Sequence, residues 1–100
     1  MICANVVVNV GTTIGDHVIL NTACTVDHHN QIEDSVHVAP GAHTGGNVSL
    51  RQGAFVGIGA TIMPGKAIHE WATIGAGAVV NRDVSARTTV IGVPIQLLTD

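Results

Sequence analysis

The sequence predicts an all-β chain, wound as a single-stranded parallel β-helix of hexapeptide repeats with four to five coils and a short C-terminal tail. Two observations carry this. From Ile2 to Val80 every sixth residue is a branched aliphatic except Thr44, a spacing that neither the helical period of 3.6 nor plain strand alternation sustains. Four residues after each of these stands a mostly small or β-branched residue, with Asn30 and Lys66 as the exceptions. A third observation is the scarcity of aromatics: Trp71 and Phe55 stand alone, so the core must be built from thin Val, Ile and Ala layers, which suits a narrow prism.

The elements follow in order. Fourteen uninterrupted hexads fill residues 2–85, and if three hexads close one triangular coil, residues eighteen apart stand above one another. Ile2, Leu20, Val38, Val56 and Ile74 then form one interior column, and Val8, Val26, Thr44, Ile62 and Val80 another. Each short strand finds hydrogen-bond partners in the coils above and below, which satisfies its backbone groups. Glycines such as Gly11, Gly41 and Gly59 fall between the aliphatic positions, where the chain turns a corner and positive φ is useful. Asp16, Asp34, Gln52 and Glu70 stack on one turn and read as a solvated corner. The register is expected to end after Val84. Residues 86–100 form a tail, whose apolar stretch from Thr89 to Leu98 is expected to pack across the last coil or a neighbouring subunit.

The net charge of −3 with four Lys plus Arg argues against a nucleic-acid surface or an anionic-membrane patch. No apolar run approaches the roughly 20 residues of a bilayer span, and residues 1–20 lack a basic segment followed by an apolar one, so a cytoplasmic location is expected. Cys3 and Cys24 stand at no metal-ligand spacing. Cys24 occupies a slot for a small buried side chain and reads as an inert core thiol.

Four of the six histidines, His28, His29, His37 and His43, lie within sixteen residues of one another, a clustering that points to a site; His17 and His69 read as exposed turn residues. The repeat supplies a geometric test: Gly46 is eighteen residues beyond His28 and is expected one coil above it, about 4.8 Å away. An imidazole can take a proton from an attacking hydroxyl or amine. A glycine N–H beside it can meet the oxyanion formed when an acyl carbon becomes tetrahedral. Gly45 and Gly46 also follow directly on Thr44, the one break in the aliphatic column; their simpler reading is a corner and nothing more.

Several stretches carry a resemblance to a known family: Asn21 to Ala42 with its Asp27-His28-His29 block, Gly45-Gly46-Asn47-Val48, Gly53 to Gly65, Val79 to Val84, and Val90-Ile91-Gly92-Val93-Pro94. Together they cover nearly the whole chain, which resembles the left-handed β-helix acetyltransferases that modify sialic acids and bacterial amino-sugar nucleotides. The left hand of the helix is taken from this resemblance, not from the periodicity. The resemblance implies acetyl-CoA as co-substrate, no metal, and His28 as general base with Gly46 supplying the N–H to the carbonyl or oxyanion. It implies His37 near the acetyl thioester and Ile58, Gly59 and Ala76 along the coenzyme A arm. It also implies a homotrimer with sites between subunits and a small-molecule acceptor bearing a hydroxyl or amine.

The chain departs from the family in three places. The acidic residue that commonly follows the base and orients it is replaced by His29, while Asp27 is expected to point the other way; a less basic His28, or an acid from another subunit, follows. After Gly-Val-Pro the usual Ala followed by Lys or Arg is Ile95-Gln96, leaving Arg82, Arg87 and Lys66 as candidates for the coenzyme's phosphates. Relatives carry an N-terminal Rossmann-like domain that holds the sugar nucleotide, whereas this repeat begins at Ile2, so either the acceptor differs or the chain is a fragment. Two other readings stand beside the enzyme: a truncated β-helix serving as a non-catalytic binding or scaffolding module, and a zinc enzyme of the γ-carbonic-anhydrase type. The latter needs two His five residues apart and a third two coils away; His37 and His43 are six apart and nothing matches the third.

Overall fold

Two-residue strands recur every six residues from Val7–Val8 to Val79–Val80, and each pairs in parallel with the strand eighteen residues away. The computed structural model describes residues 1–98. The strands stack into three sheets, the faces of a triangular prism measuring 36 × 21 × 20 Å. The first face contains Ile19–Leu20, His37–Val38, Phe55–Val56 and Thr73–Ile74; the second runs from Val7–Val8 through Thr25–Val26, His43–Thr44 and Thr61–Ile62 to Val79–Val80. The third holds Thr13–Ile14, Gln31–Ile32, Ser49–Leu50 and Ala67–Ile68. No helix interrupts this all-β solenoid among the described residues, and none is long and apolar enough to cross a membrane.

The second residue of each strand points inward. Leu20, Val38, Val56 and Ile74 are fully buried in one column, and Val26, Ile62 and Val80 are buried in the next, with Thr44 among them. The small residues four positions on, such as Cys24, Ala42, Ala60 and Ala78, fill the corners of the interior. In the first coil Ile2, Val8 and Ile14 are exposed.

The corners require one left-handed residue per hexad. Positive φ recurs at every sixth position from Asn5 to Gly77, and side-chain-bearing residues such as Ala23, His29 and Trp71 take it as well as glycines. Gly15, Gly45, Gly46, Gly57 and Gly75 lie outside this set. Their glycine is explained by crowding instead: a Cβ at any of them would overlap atoms of the adjoining coil. The glycines therefore serve as turn formers, as close-approach positions or, at Gly11 and Gly53, as both, where the sequence pattern alone gave all of them the same reading.

The stack continues past Val84, with a change of phase. Val84 pairs with Ile68 and Thr89–Ile91 pairs with Thr73–Ile74, an offset of sixteen residues in place of eighteen. Val84 thus stands in the strand column over Ile68, although its number marks it as a corner residue. The chain then reverses around a cis Val93–Pro94 bond, and Gln96–Leu97 pairs antiparallel with Thr89–Ile91. Val90 and Ile95 are buried and close this end of the core. Positions 99 and 100 of the expected tail lie outside the described residues.

Candidate functional site

The corner between the second and third faces carries residues 9–12, 27–30, 45–48 and 63–66 in successive coils. Here the structure brings His28 and Gly46 together. A Cβ built at Gly46 would stand 2.5 Å from both Cε1 and Nε2 of the His28 ring. The backbone of the two coils is joined alongside, Asn47 N–H donating to His28 O at 3.0 Å. Gly46 is buried under the ring, and among the described residues its N–H donates to no acceptor. Equivalent N–H groups at Asp16, Thr22, His28 and Gln52 are each met by a side-chain oxygen, whereas those at Val10, Asp34, Ile58, Glu70 and Ala76 have, like Gly46, no acceptor among the described residues. A buried backbone donor without a partner is uncommon in folded proteins.

His29 is seated in the same way one coil below. A Cβ at Gly11 would stand 2.5 Å from Cδ2 and 2.7 Å from Nε2 of His29. The two imidazoles, both exposed, meet edge to face with Nδ1 of His28 3.2 Å from Nδ1 of His29. One of these nitrogens donates and the other accepts. When His28 donates, its proton sits on Nδ1 and its Nε2, the atom over Gly46, carries the free lone pair. Asp27 takes no part in this pairing, as the alternation predicts. Its Oδ1 accepts from the backbone N–H of His28 at 2.7 Å and from Asn9 Nδ2 at 3.1 Å.

The other candidates lie elsewhere on the prism. His37 is half-buried on the first face, opposite the His28 corner, where its ring meets Phe55 edge to face at 5.2 Å and its Nε2 accepts from Asn21 Nδ2 at 3.3 Å. Ile58, Gly59 and Ala76 are exposed at the adjoining corner between the first and second faces. Gly77 N–H donates to Ile58 O there at 2.8 Å, tying the two coils together. The N–H groups of Ile58 and Ala76 have no acceptor among the described residues. Within one chain, then, His28 and Gly46 adjoin, and His37, Ile58, Gly59 and Ala76 form a second group on the far side.

Of the remaining candidates, His43 is exposed on the second face with Nδ1 2.7 Å from Thr25 Oγ1, and His17 is an exposed turn residue. Arg82 donates to Ile95 O at 2.8 Å and so holds the tail. Burial pushes the Cys24 thiol upward, and the nearby Cys3 adds to the shift. No three side chains of His, Cys, Asp or Glu gather as a metal-holding group among the described residues.

The sequence pattern did not reveal one connection. Asn30 and Thr44, the polar exceptions in two different interior columns, are bonded to each other: Thr44 Oγ1 donates to Asn30 Oδ1 at 2.6 Å, with Asn30 fully buried. The signal was present in their both being polar at inward-facing positions of adjacent coils on one corner.

No model of a known protein family matches the sequence. Among solved structures, the chain is similar to a mutant of perosamine N-acetyltransferase from Caulobacter crescentus in complex with CoA and GDP-perosamine. The identity is 34% over 99% of this chain and 50% of that one, with a TM-score of 0.96. WeeI from Acinetobacter baumannii AYE is 34% identical over 96% of this chain and 48% of its own, with a TM-score of 0.90. The acetyltransferase domain of PglB from Neisseria gonorrhoeae FA1090 in complex with acetyl coenzyme A is 30% identical over 97% and 54%, with a TM-score of 0.81. The chain spans about half the length of each of these proteins. It is a hexapeptide-repeat β-solenoid of the kind these acetyltransferases share.

Proposed function

We propose that the chain transfers an acetyl group from acetyl-CoA to the amine or hydroxyl of a small acceptor of the amino-sugar class. The observation that carries this reading is the His28 ring lying against Gly46, whose N–H has no acceptor among the described residues. Acetyl-CoA supplies the activated acetyl carbonyl. The exposed corner of Ile58, Gly59 and Ala76, with two uncommitted N–H donors, suits an extended amide-bearing arm. His28 Nε2 accepts the proton of the attacking amine or hydroxyl, and the imidazolium so formed keeps its Nδ1–H on His29. The Gly46 N–H faces the negative charge that develops on the carbonyl oxygen. The proton held by His28 is then available to the departing thiol, which returns the ring to its starting state.

His28 and His37 stand on opposite sides of one prism, so one chain does not bring both to one acetyl group. We place the complete site between neighbouring copies, with a homotrimer as the assembly, and His37 of one subunit facing His28 and Gly46 of the next. The location that goes with acetyl-CoA as co-substrate is the cytoplasm. The decisive experiment follows CoA release with amino sugars, simple amines and alcohols as acceptors. His28→Ala is expected to abolish transfer while leaving the fold and assembly intact, and an unchanged turnover rate would reject the assignment.

A further inference from the structure

The corner that carries His28 is built unlike the other two. At those, six turns close on themselves through the backbone, as where Cys24 N–H donates to Asn21 O at 3.1 Å and Ala72 N–H to His69 O at 3.2 Å. Among the described residues no turn of the His28 corner has this bond. Its carbonyls are met instead by side chains of the coil below: Asp27 O by Thr12 Oγ1 at 2.9 Å, and Gly45 O by Asn30 Nδ2 at 2.9 Å. The same Asn30 amide donates to His28 O at 3.1 Å, and its Oδ1 takes the Thr44 hydroxyl. Both donors and the oxygen of this buried amide group are engaged, and together they tie the His28 turn to the Thr44–Gly45 segment of the next coil.

The fold does not ask for polarity here. Thr44 stands in its column between Val26 and Ile62, and an aliphatic residue serves every other coil. Buried polar groups cost free energy unless bonded, so the hydroxyl at position 44 adds nothing to packing that valine would not. We propose that Asn30 and Thr44 are positioning residues for acetyl transfer, a buried strut that fixes the His28 ring against the Gly46 N–H. This rests on the acetyl-transfer reading above.

Two substitutions at position 44 separate this role from a structural one. Thr44→Val restores the aliphatic column and removes the hydroxyl that holds the Asn30 amide; Thr44→Ser keeps the hydroxyl and loses a core methyl. Both variants are expected to fold with a lowered melting temperature, the valine one because Asn30 Oδ1 loses its hydroxyl partner and the serine one because a core methyl is lost, yet only the valine variant is expected to lose about tenfold in kcat, as small displacements of a reacting group do. Its KM for acetyl-CoA stays within about twofold, because the strut does not touch that substrate, and the serine variant keeps kcat within about twofold of the parent. A fall in kcat as large in the serine variant as in the valine one overturns the proposal. Asn30→Asp is a second variant, keeping the acceptor for Thr44 while removing both donors, and the same fall in kcat is expected; full activity there also overturns it. Long-range 1H–15N spectra of the imidazoles are read independently of activity. The parent should hold His28 in one tautomer and the valine and aspartate variants should mix two, whereas unchanged ring shifts count against the strut. If the parent transfers acetyl to no acceptor, the proposed function fails, and the ring spectra alone decide whether the strut fixes His28.

Discussion

The His28 ring occupies the space where any residue but glycine at position 46 would hold its Cβ. Gly46 does not adopt positive φ, so its backbone would accept an alanine without strain. The clash would fall on the end of a surface side chain that can rotate away. Gly46→Ala is therefore expected to leave the melting temperature nearly unchanged and to swing His28 out of place. A loss of about a hundredfold in kcat is the expected scale for a base displaced by an ångström or so. Thermal unfolding and CoA-release kinetics on the same preparation check both halves.

His29 is the partner of His28 through Nδ1, and it stands where relatives are expected to carry an acid. An imidazole can accept the Nδ1 proton of His28 and orient the ring, but a neutral one lends no negative charge to the cation formed during transfer. His29→Ala is expected to lower kcat about tenfold, part of what a well-placed general base supplies. His29→Asp is expected to restore it. A carboxylate beside the ring favours the charged form, so the acid limb of the kcat/KM profile should move to higher pH in the aspartate variant. An acid limb that stays fixed would mean the residue at position 29 does not act on His28.

The solenoid was legible in the sequence because each interior position must be apolar in every coil, and fourteen repeats leave little freedom of phase. Counting in eighteens also placed His28 beside Gly46. The same count carried more: nine residues separate His28 from His37, half a coil, which puts them on opposite sides of the prism. The phase change at Val84 was hidden, since valine suits a strand position and a corner position equally. Asn30 and Thr44 were visible as exceptions, but their bond depends on two inward-pointing side chains meeting across adjacent coils, which a one-dimensional register does not record. Which ring nitrogen of His28 faces His29 is likewise a matter of χ angles, on which spacing is silent.

Cys24 gives a stability prediction with a definite sign. Its thiol is raised above its ordinary 9.0, first by burial and then by Cys3, so the folded chain resists ionising it while the unfolded chain does not. Its contribution to stability is full below the unfolded thiol's pKa and is lost as pH climbs through and beyond that value. Urea midpoints measured between pH 8 and pH 10 are expected to fall more steeply for the parent than for Cys24→Ala. Alanine already fills this column at Ala42, Ala60 and Ala78, so the variant should fold. Because the thiolate is the reactive species, iodoacetamide is expected to modify half-buried Cys3 in the native protein and to spare Cys24.

Subunit mixing tests where the site lies. If His28 and Gly46 come from one copy and His37 from its neighbour, His28→Ala and His37→Ala chains are each inactive alone, since every site lacks one group. In a randomly mixed cyclic assembly a site is whole when one side comes from the His37 variant and the other from the His28 variant. With equal amounts, about a quarter of the sites satisfy both conditions. Unfolding and refolding the two variants together is expected to recover about that fraction of parental activity, while each variant refolded alone recovers none. A site contained within one chain predicts no recovery at any mixing ratio, because every chain in the mixture would still lack one of its two histidines.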